Sequence, residues 1–281
     1  MLFTLLCALS VPFNGILVRY RVSSHPKLSV EDGSVPLAPT FIGVAKRVWR
    51  LQGMEGLTRG LIPTIMGAFL TTLLFPFSRP KLYFSPSPMY TQGIPSSLFA
   101  VLLHTVLVVT VYRAIVTPRK LDPLNAREAL HILFSAHERK KPWAIYKIPG
   151  LLTAVLAIQA LRGIHPLYSH AGNPEYGVRQ GILVLVALLG TIVIAPLEVI
   201  VTRLALQRNY GGLSFDDVLD VESALPLTAA RSTPPVAAPV RSENAPYLGL
   251  IDCGKKIIAE EGWPVLYRMW FLTFLGIFLR L

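Results

Sequence analysis

The chain has 281 residues, 52% of them apolar and only 15% charged, and a mean hydropathy of +0.51. Soluble domains carry about 25% charged residues, so this composition argues against an ordinary cytosolic enzyme and excludes a disordered or collagen-like chain. Basic residues outnumber acidic ones 27 to 16, a balance that in so apolar a chain suits anionic lipid or anionic solutes better than nucleic acid.

A membrane-spanning helix needs roughly 20 mostly apolar residues, since each adds ~1.5 Å against ~30 Å of hydrocarbon. Met1–Arg19 is the first such run. It lacks a basic n-region and a small-x-small cleavage site, so it reads as a span and not as a cleaved signal; the Arg-rich, Ser-rich pattern of a transit peptide is also missing. Phe41–Leu51 follows, with Phe41, Val44, Val48 and Leu51 at helical spacing around Lys46, Arg47 and Arg50. Leu61–Phe77 is the second apolar run, stopped by Pro76, Pro80, Pro86 and Pro88, and Tyr83–Pro95 is a proline-stiffened connection. Pro95–Thr117 is the third run. Asn125–Arg139 is again amphipathic, through Ala126, Ala129, Leu130, Leu133 and Phe134. Ile145–Leu161 is the fourth run and Val178–Gln207 the fifth and strongest. Leu213–Pro246, rich in Ser, Pro, Ala and Asp around Pro234-Pro235, reads as a disordered, solvated loop. Tyr247–Glu261 is the third amphipathic stretch, on Leu250, Ile251, Ile257 and Ile258, and Met269–Leu281 is the sixth apolar run. The amphipathic stretches are too short and too charged to span, and belong at the membrane surface.

This order of apolar, amphipathic and apolar segments occurs three times, as 1–83, 95–168 and 178–281, the last with 213–246 inserted. Pro12-Phe13-Asn14-Gly15-Ile16-Leu17-Val18-Arg19 aligns with Pro196-Leu197-Glu198-Val199-Ile200-Val201-Thr202-Arg203. Val111 through Pro118 joins them through a shared Ile-Val-Thr, which sets Arg113 opposite Asn14 and Glu198. Further on, Gln52 through Arg59, followed by Gly60, aligns with Lys140 through Lys147 and with Glu261 through Arg268. Single prolines and glycines have bland explanations, as kinks and helix ends. Two different motifs in register three times do not.

In these residues the chain resembles the mitochondrial carrier family. That family ends odd helices with Pro-x-acid-x-x-base and opens even helices with Glu-Gly-x-x-x-Leu-Tyr-Arg-Gly. The resemblance covers nearly the whole chain. It implies an all-α membrane protein: a six-helix, three-repeat, pseudo-threefold bundle with short amphipathic helices on the matrix side. It also implies termini in the intermembrane space, a central cavity and alternating access. The matrix gate falls on Pro12, Asn14, Arg19, Arg113, Pro196, Glu198 and Arg203. The acid positions hold Asn14, Arg113 and Glu198, and the base positions Leu17, Val116 and Val201. Arg113 with Glu198 is the one gate pair expected to survive, because a lone charge in a poorly solvated site is costly.

The family's substrate contact points, eight residues past the even-helix base, fall on Gly67, Val155 with Leu156, and Gly276. One turn further come Thr71, Gln159 and Arg280. His104 is a titratable residue inside the third apolar run. At the even-helix starts, free backbone N–H groups and the helix dipole form anion sites. By resemblance they hold cardiolipin, around Gly53, Arg59, Gly60, Lys147, Gly262, Tyr267 and Arg268.

Cys7 and Cys253 give neither a disulfide framework nor metal-ligand spacing. There is no Gly-x-Gly-x-x-Gly, Walker loop or His-Glu-x-x-His. No enzyme activity, cofactor or metal is therefore expected. His131 and His137 read as a solvated helix face. Lys46-Arg47 and Arg139-Lys140-Lys141 read as contacts to acidic lipid head groups, without the aromatic interleaving of a nucleic-acid platform. The function expected is a monomeric solute transporter of the mitochondrial inner membrane, its substrate unspecified and weakly biased to an anion. The alternative is a degenerate, non-transporting carrier-like protein of the outer membrane, of the fusion or insertion type. The last apolar run has 13 residues, ~20 Å at ~1.5 Å each, an expectation of either a chain clipped at its ends or one that has drifted.

Overall fold

Apolar side chains at a 3.6-residue period, with few breakers inside each run, dictate helices, and all regular structure among the described residues is helical. The computed structural model describes residues 2–23, 40–74, 94–117, 121, 125–169, 176–211 and 246–278. In chain order the helices are α1 (Leu2–Val22), α2 (Phe41–Thr58), α3 (Leu61–Leu74), α4 (Ile94–Val116), α5 (Ala126–Leu133) and α6 (Ala136–Lys140). They continue with α7 (Leu151–Ser169), α8 (Tyr176–Leu206), α9 (Leu250–Glu260) and α10 (Trp270–Phe278). Two 3₁₀ turns, Pro142–Lys147 and Trp263–Tyr267, lead into α7 and α10. The connections expected at 83–95 and 213–246 lie almost wholly outside the described residues.

Two expected boundaries are corrected. The fourth apolar run is not helical from Ile145: Pro142–Lys147 is a 3₁₀ turn, Gly150 has φ +79°, and the helix starts at Leu151 and runs on to Ser169. Pro149 disfavours helix at Ile148, and apolar composition hides that break. The second amphipathic stretch is two helices. Ser135 restarts the chain through a capping box, its hydroxyl accepting from the Glu138 N–H while the Glu138 carboxylate accepts from the Ser135 N–H.

Two stretches among the described residues, 98–116 and 184–206, are long and apolar enough to cross a membrane; 151–162 and 263–278 are apolar but shorter. The six spans expected are thus met on length and apolarity by two. Apolar side chains cover outward faces as well as the core. Ile65, Met66, Phe69 and Leu73 of α3, Leu185, Leu189 and Ile192 of α8, and Phe271 and Leu275 of α10 are all exposed. Continuous apolar outer faces of this kind call for something other than water.

Corresponding side-chain bonds recur near the ends of α1, α4 and α8. Arg19, Arg113 and Arg203 each stand three residues before the end of their helix, and each grips the following amphipathic segment. Arg19 donates to the Gly56 carbonyl at 2.9 Å and reaches Gln52. Arg113 binds Glu138 through both nitrogens, at 2.6 and 3.0 Å. Arg203 holds Glu261 in the same bidentate way. Tyr146 donates to the Leu102 carbonyl and Tyr267 to the Ile192 carbonyl, two acceptors that are 90 residues apart, as are Arg113 and Arg203. The Ile192 carbonyl is the one that Pro196, lacking an N–H, leaves without its helical donor. The sequence alignment of the second unit is therefore five residues off. Val106 is the counterpart of Pro196, and Val108, not Arg113, is the counterpart of Glu198.

These bonds run in a circle. Arg19 donates to the Ile115 carbonyl and Arg59 to the Thr117 carbonyl, both at the end of α4. Arg113 donates to the Ala205 and Gln207 carbonyls at the end of α8. Arg268 donates to the Tyr20 carbonyl and to Ser23 at the end of α1. The ends of α4, α8 and α1 are thus each capped by arginines from another helix or turn, satisfying C-terminal carbonyls that have no intrahelical donor. Where α1, α4 and α8 meet, Val18, Val22 and Ile115 pack with Val111, Val116 and Leu206 into an apolar plug.

Candidate functional site

The expected Arg113–Glu198 pair is not formed. Arg113 is sealed against Glu138, both side chains at most 4% exposed, with carbonyl acceptors at Leu133, Ala205 and Gln207 and the Phe134 ring 5.5 Å from its guanidinium carbon. Glu138 also accepts from the Asn209 N–H. Every lone pair and donor of this pair has a partner, so it is a structural clamp. Arg113→Met alone should cost about 3–5 kcal/mol by stranding a buried carboxylate, and Arg113→Met with Glu138→Leu should recover most of it. Thermal unfolding of the two variants in detergent checks this.

Glu198 instead gathers side chains from three other helices. Arg21 of α1 donates to Oε2 at 2.6 Å, Arg162 of α7 donates to Oε1, and the Thr273 hydroxyl of α10 donates to Oε2 at 2.7 Å. The Glu198, Arg21 and Arg162 side chains are 14%, 7% and 12% exposed. The cluster borders a small, partly open cleft of about 50 Å3. His104, Tyr112, Val108, Val155, Ile158, Gln159 and Val201 complete the lining. Arg162 stands 11 residues into α7 and His104 12 residues from the end of α4, ~17–18 Å along each helix at ~1.5 Å per residue. The plug of Val18, Val22 and Ile115 lies at the helix ends beyond Glu198.

Of the expected substrate-path residues, the structure brings His104, Val155 and Gln159 together on this cleft. Gly67 is elsewhere, packed under Leu107 of α4, and Thr71 donates to its own helix at the Gly67 carbonyl. Gly276 faces open space; Arg280 lies outside the described residues. Among the gate residues, Pro12 and Pro196 sit inside continuous helices, Asn14 is half-buried, and Arg19 and Arg203 hold the amphipathic segments. Arg21, Arg162 and Thr273, which bond Glu198, and Tyr112, which lines the cleft, are the members of this site that the sequence analysis does not single out. Ending the apolar runs at Arg19 and at Leu161 left out both arginines.

At the helix starts, Gly60 and Gly150 have positive φ, as does Met269 before α10. Arg59 and Arg268 turn inward to the C-terminal carbonyls described above, and burial pulls both guanidinium groups below the ordinary arginine range, against the raising effect of Glu55 and Glu261. Tyr267 faces the Ile192 carbonyl, while Lys147 is exposed. Gly53 and Gly262 both have positive φ, seven residues before Gly60 and Met269. Tryptophans are exposed on the amphipathic side in all three segments: Trp49, Trp143 and Trp263 are 56%, 57% and 65% exposed, and Trp270 at the start of α10 is exposed as well. Exposed tryptophans beside Lys46, Arg47, Lys140 and Lys141 are what a membrane–water interface selects.

Comparison with family models, with curated proteins and with solved structures gives no match to this chain. Among the described residues no three His, Cys, Asp or Glu side chains come together as metal ligands.

Proposed function

We propose that the chain is a divergent member of the mitochondrial carrier family, a six-helix, three-unit bundle that moves a small solute across the mitochondrial inner membrane by alternating access. The observation that carries this reading is the Glu198 cluster, in which α1, α7, α8 and α10 meet on one polar cleft beside a closed apolar plug. A charge network that joins helices of the first, second and third units can be rearranged by a bound solute. A purely apolar plug cannot. Ring-wise capping from unit to unit and the apolar outer faces support the bundle; the motifs of the first and third units support the family.

Purified protein in liposomes should take up a solute from a panel of anions and amino acids with saturation, and Arg162→Gln should reduce that uptake at least tenfold. The second reading, a non-transporting carrier-like protein of the outer membrane, is favoured by the neutral Asn14 and Val108 opposite Glu198. Absence of uptake across the panel would select it.

Cardiolipin is the lipid proposed for the even-helix starts, where backbone N–H groups lack intrahelical partners. Cardiolipin should then raise the unfolding temperature in detergent more than phosphatidylcholine does. An equal response to both would remove the lipid site.

A further inference from the structure

We propose that the cleft beside Glu198 is a binding site for a small monoanion, held by Arg21, Arg162 and Gln159, with Glu198 as their permanent counter-ion. The inference deepens the transport reading and rests on it for the ligand being cargo.

Charge comes first. With His104 counted as neutral imidazole, its ordinary form at pH 7.5, the charged lining residues are Arg21, Arg162 and Glu198, two positive and one negative. One more negative charge neutralises the cluster. A dianion would leave a net negative charge in a poorly solvated site, where charge is costly.

The unused donors point the same way. The Arg21 Nε–H and the Gln159 Nε2 amide are buried and have no hydrogen-bond partner. Arg21 is 6% exposed. Both residues line the cleft, and a buried donor without an acceptor is unfavourable. A carboxylate or similar anion supplies two acceptor oxygens in one plane, which suits a guanidinium edge. The remaining wall, Val108, Val155, Ile158 and Val201, is apolar and suits a short hydrocarbon stub. A small monocarboxylate meets all three conditions.

The test uses the full chain in phosphatidylcholine nanodiscs, in chloride-free Hepes at pH 7.5, with unfolding temperature and equilibrium binding as readouts. The probes are lactate, nitrate, succinate, sulfate and choline at equal ionic strength. Lactate and nitrate should bind about tenfold more tightly than succinate or sulfate, and choline should not bind. Gln159→Leu, which removes an orphan donor and no charge, should weaken lactate binding several-fold without lowering the unfolding temperature of the ligand-free protein. Lys255→Gln, on the exposed face of α9, should change neither. Equal binding of succinate and lactate, or unaltered lactate binding in Gln159→Leu, would overturn the proposal. So would stabilisation by phosphatidylglycerol that vanishes in Arg162→Gln, since it would assign the charge to a lipid head group. Lactate binding without uptake in liposomes would uphold the site and defeat the transport reading. Uptake of a cation or neutral solute without anion binding would do the reverse.

Discussion

Glu198→Leu should be among the most damaging single substitutions in the chain. It leaves the Arg21 and Arg162 guanidinium groups side by side, both largely buried, and takes the acceptor from the Thr273 hydroxyl. Removing one partner of a buried charge cluster costs about 3–5 kcal/mol, far more than an exposed ion pair contributes. In a chain of this size that corresponds to a fall in unfolding temperature on the order of 10 °C. Arg162→Leu should cost less, because Arg21 still pairs with the carboxylate. Combining Arg162→Leu with Glu198→Leu should be less harmful than the sum of the two. Additive losses would mean that Glu198 and Arg162 do not share an environment.

Gly150→Ala should fail for a different reason. Gly150 has φ +79°, and a Cβ there would stand 2.2 Å from the Leu250 nitrogen and 2.8 Å from the Gly249 carbonyl carbon. The start of α7 thus packs backbone against backbone on the start of α9. Left-handed backbone costs a non-glycine residue about 1–2 kcal/mol, and the clash adds about 1–3 kcal/mol, as overpacking does. Gly53 supplies the control. Its φ is +61°, but nothing lies within 4 Å of a Cβ there. With ψ −149° it sits in a region essentially reserved for glycine, so Gly53→Ala should show a backbone term alone, about 1–3 kcal/mol. Similar losses at both positions, measured by thermal unfolding, would remove the α7–α9 contact from the account.

Much of the helical scaffold was legible in the sequence, because apolar period and amphipathic spacing act over ten residues or more. Val178–Gln207 against α8 and Pro95–Thr117 against α4 differ by one or two residues at each end. The register of the second unit was not legible. Its proline and acid positions are Val106 and Val108, and the shared Ile-Val-Thr offered a competing alignment. Only through-space bonds, such as Tyr146 to Leu102 beside Tyr267 to Ile192, separate the two. The site was half legible. His104 is legible from its position inside an apolar run, and Val155 and Gln159 only through the family resemblance, as a contact point and the residue one turn beyond it. Arg21 and Arg162 are not legible, because a charge at its end marks the limit of an apolar run. A long arginine stem can lie along the helix while its head reaches a carboxylate on a neighbour. Glu198 was singled out, but its partners come from the first, second and third units, and no spacing rule reports that. The inward turn of Arg59 and Arg268 was likewise hidden, since a basic residue at a helix start reads locally as an interfacial charge.

Alternating access is the central claim, and side-specific labelling of the cleft tests it most directly. Val155 lines the cleft and is buried. A Val155→Cys variant lacking Cys7 and Cys253, inserted in one orientation in liposomes, is exposed to a small membrane-impermeant thiol reagent from outside or from the lumen. The account predicts modification from either side, with the cargo changing the ratio of the two rates. Modification from one side only, unchanged by any solute that binds, would contradict it.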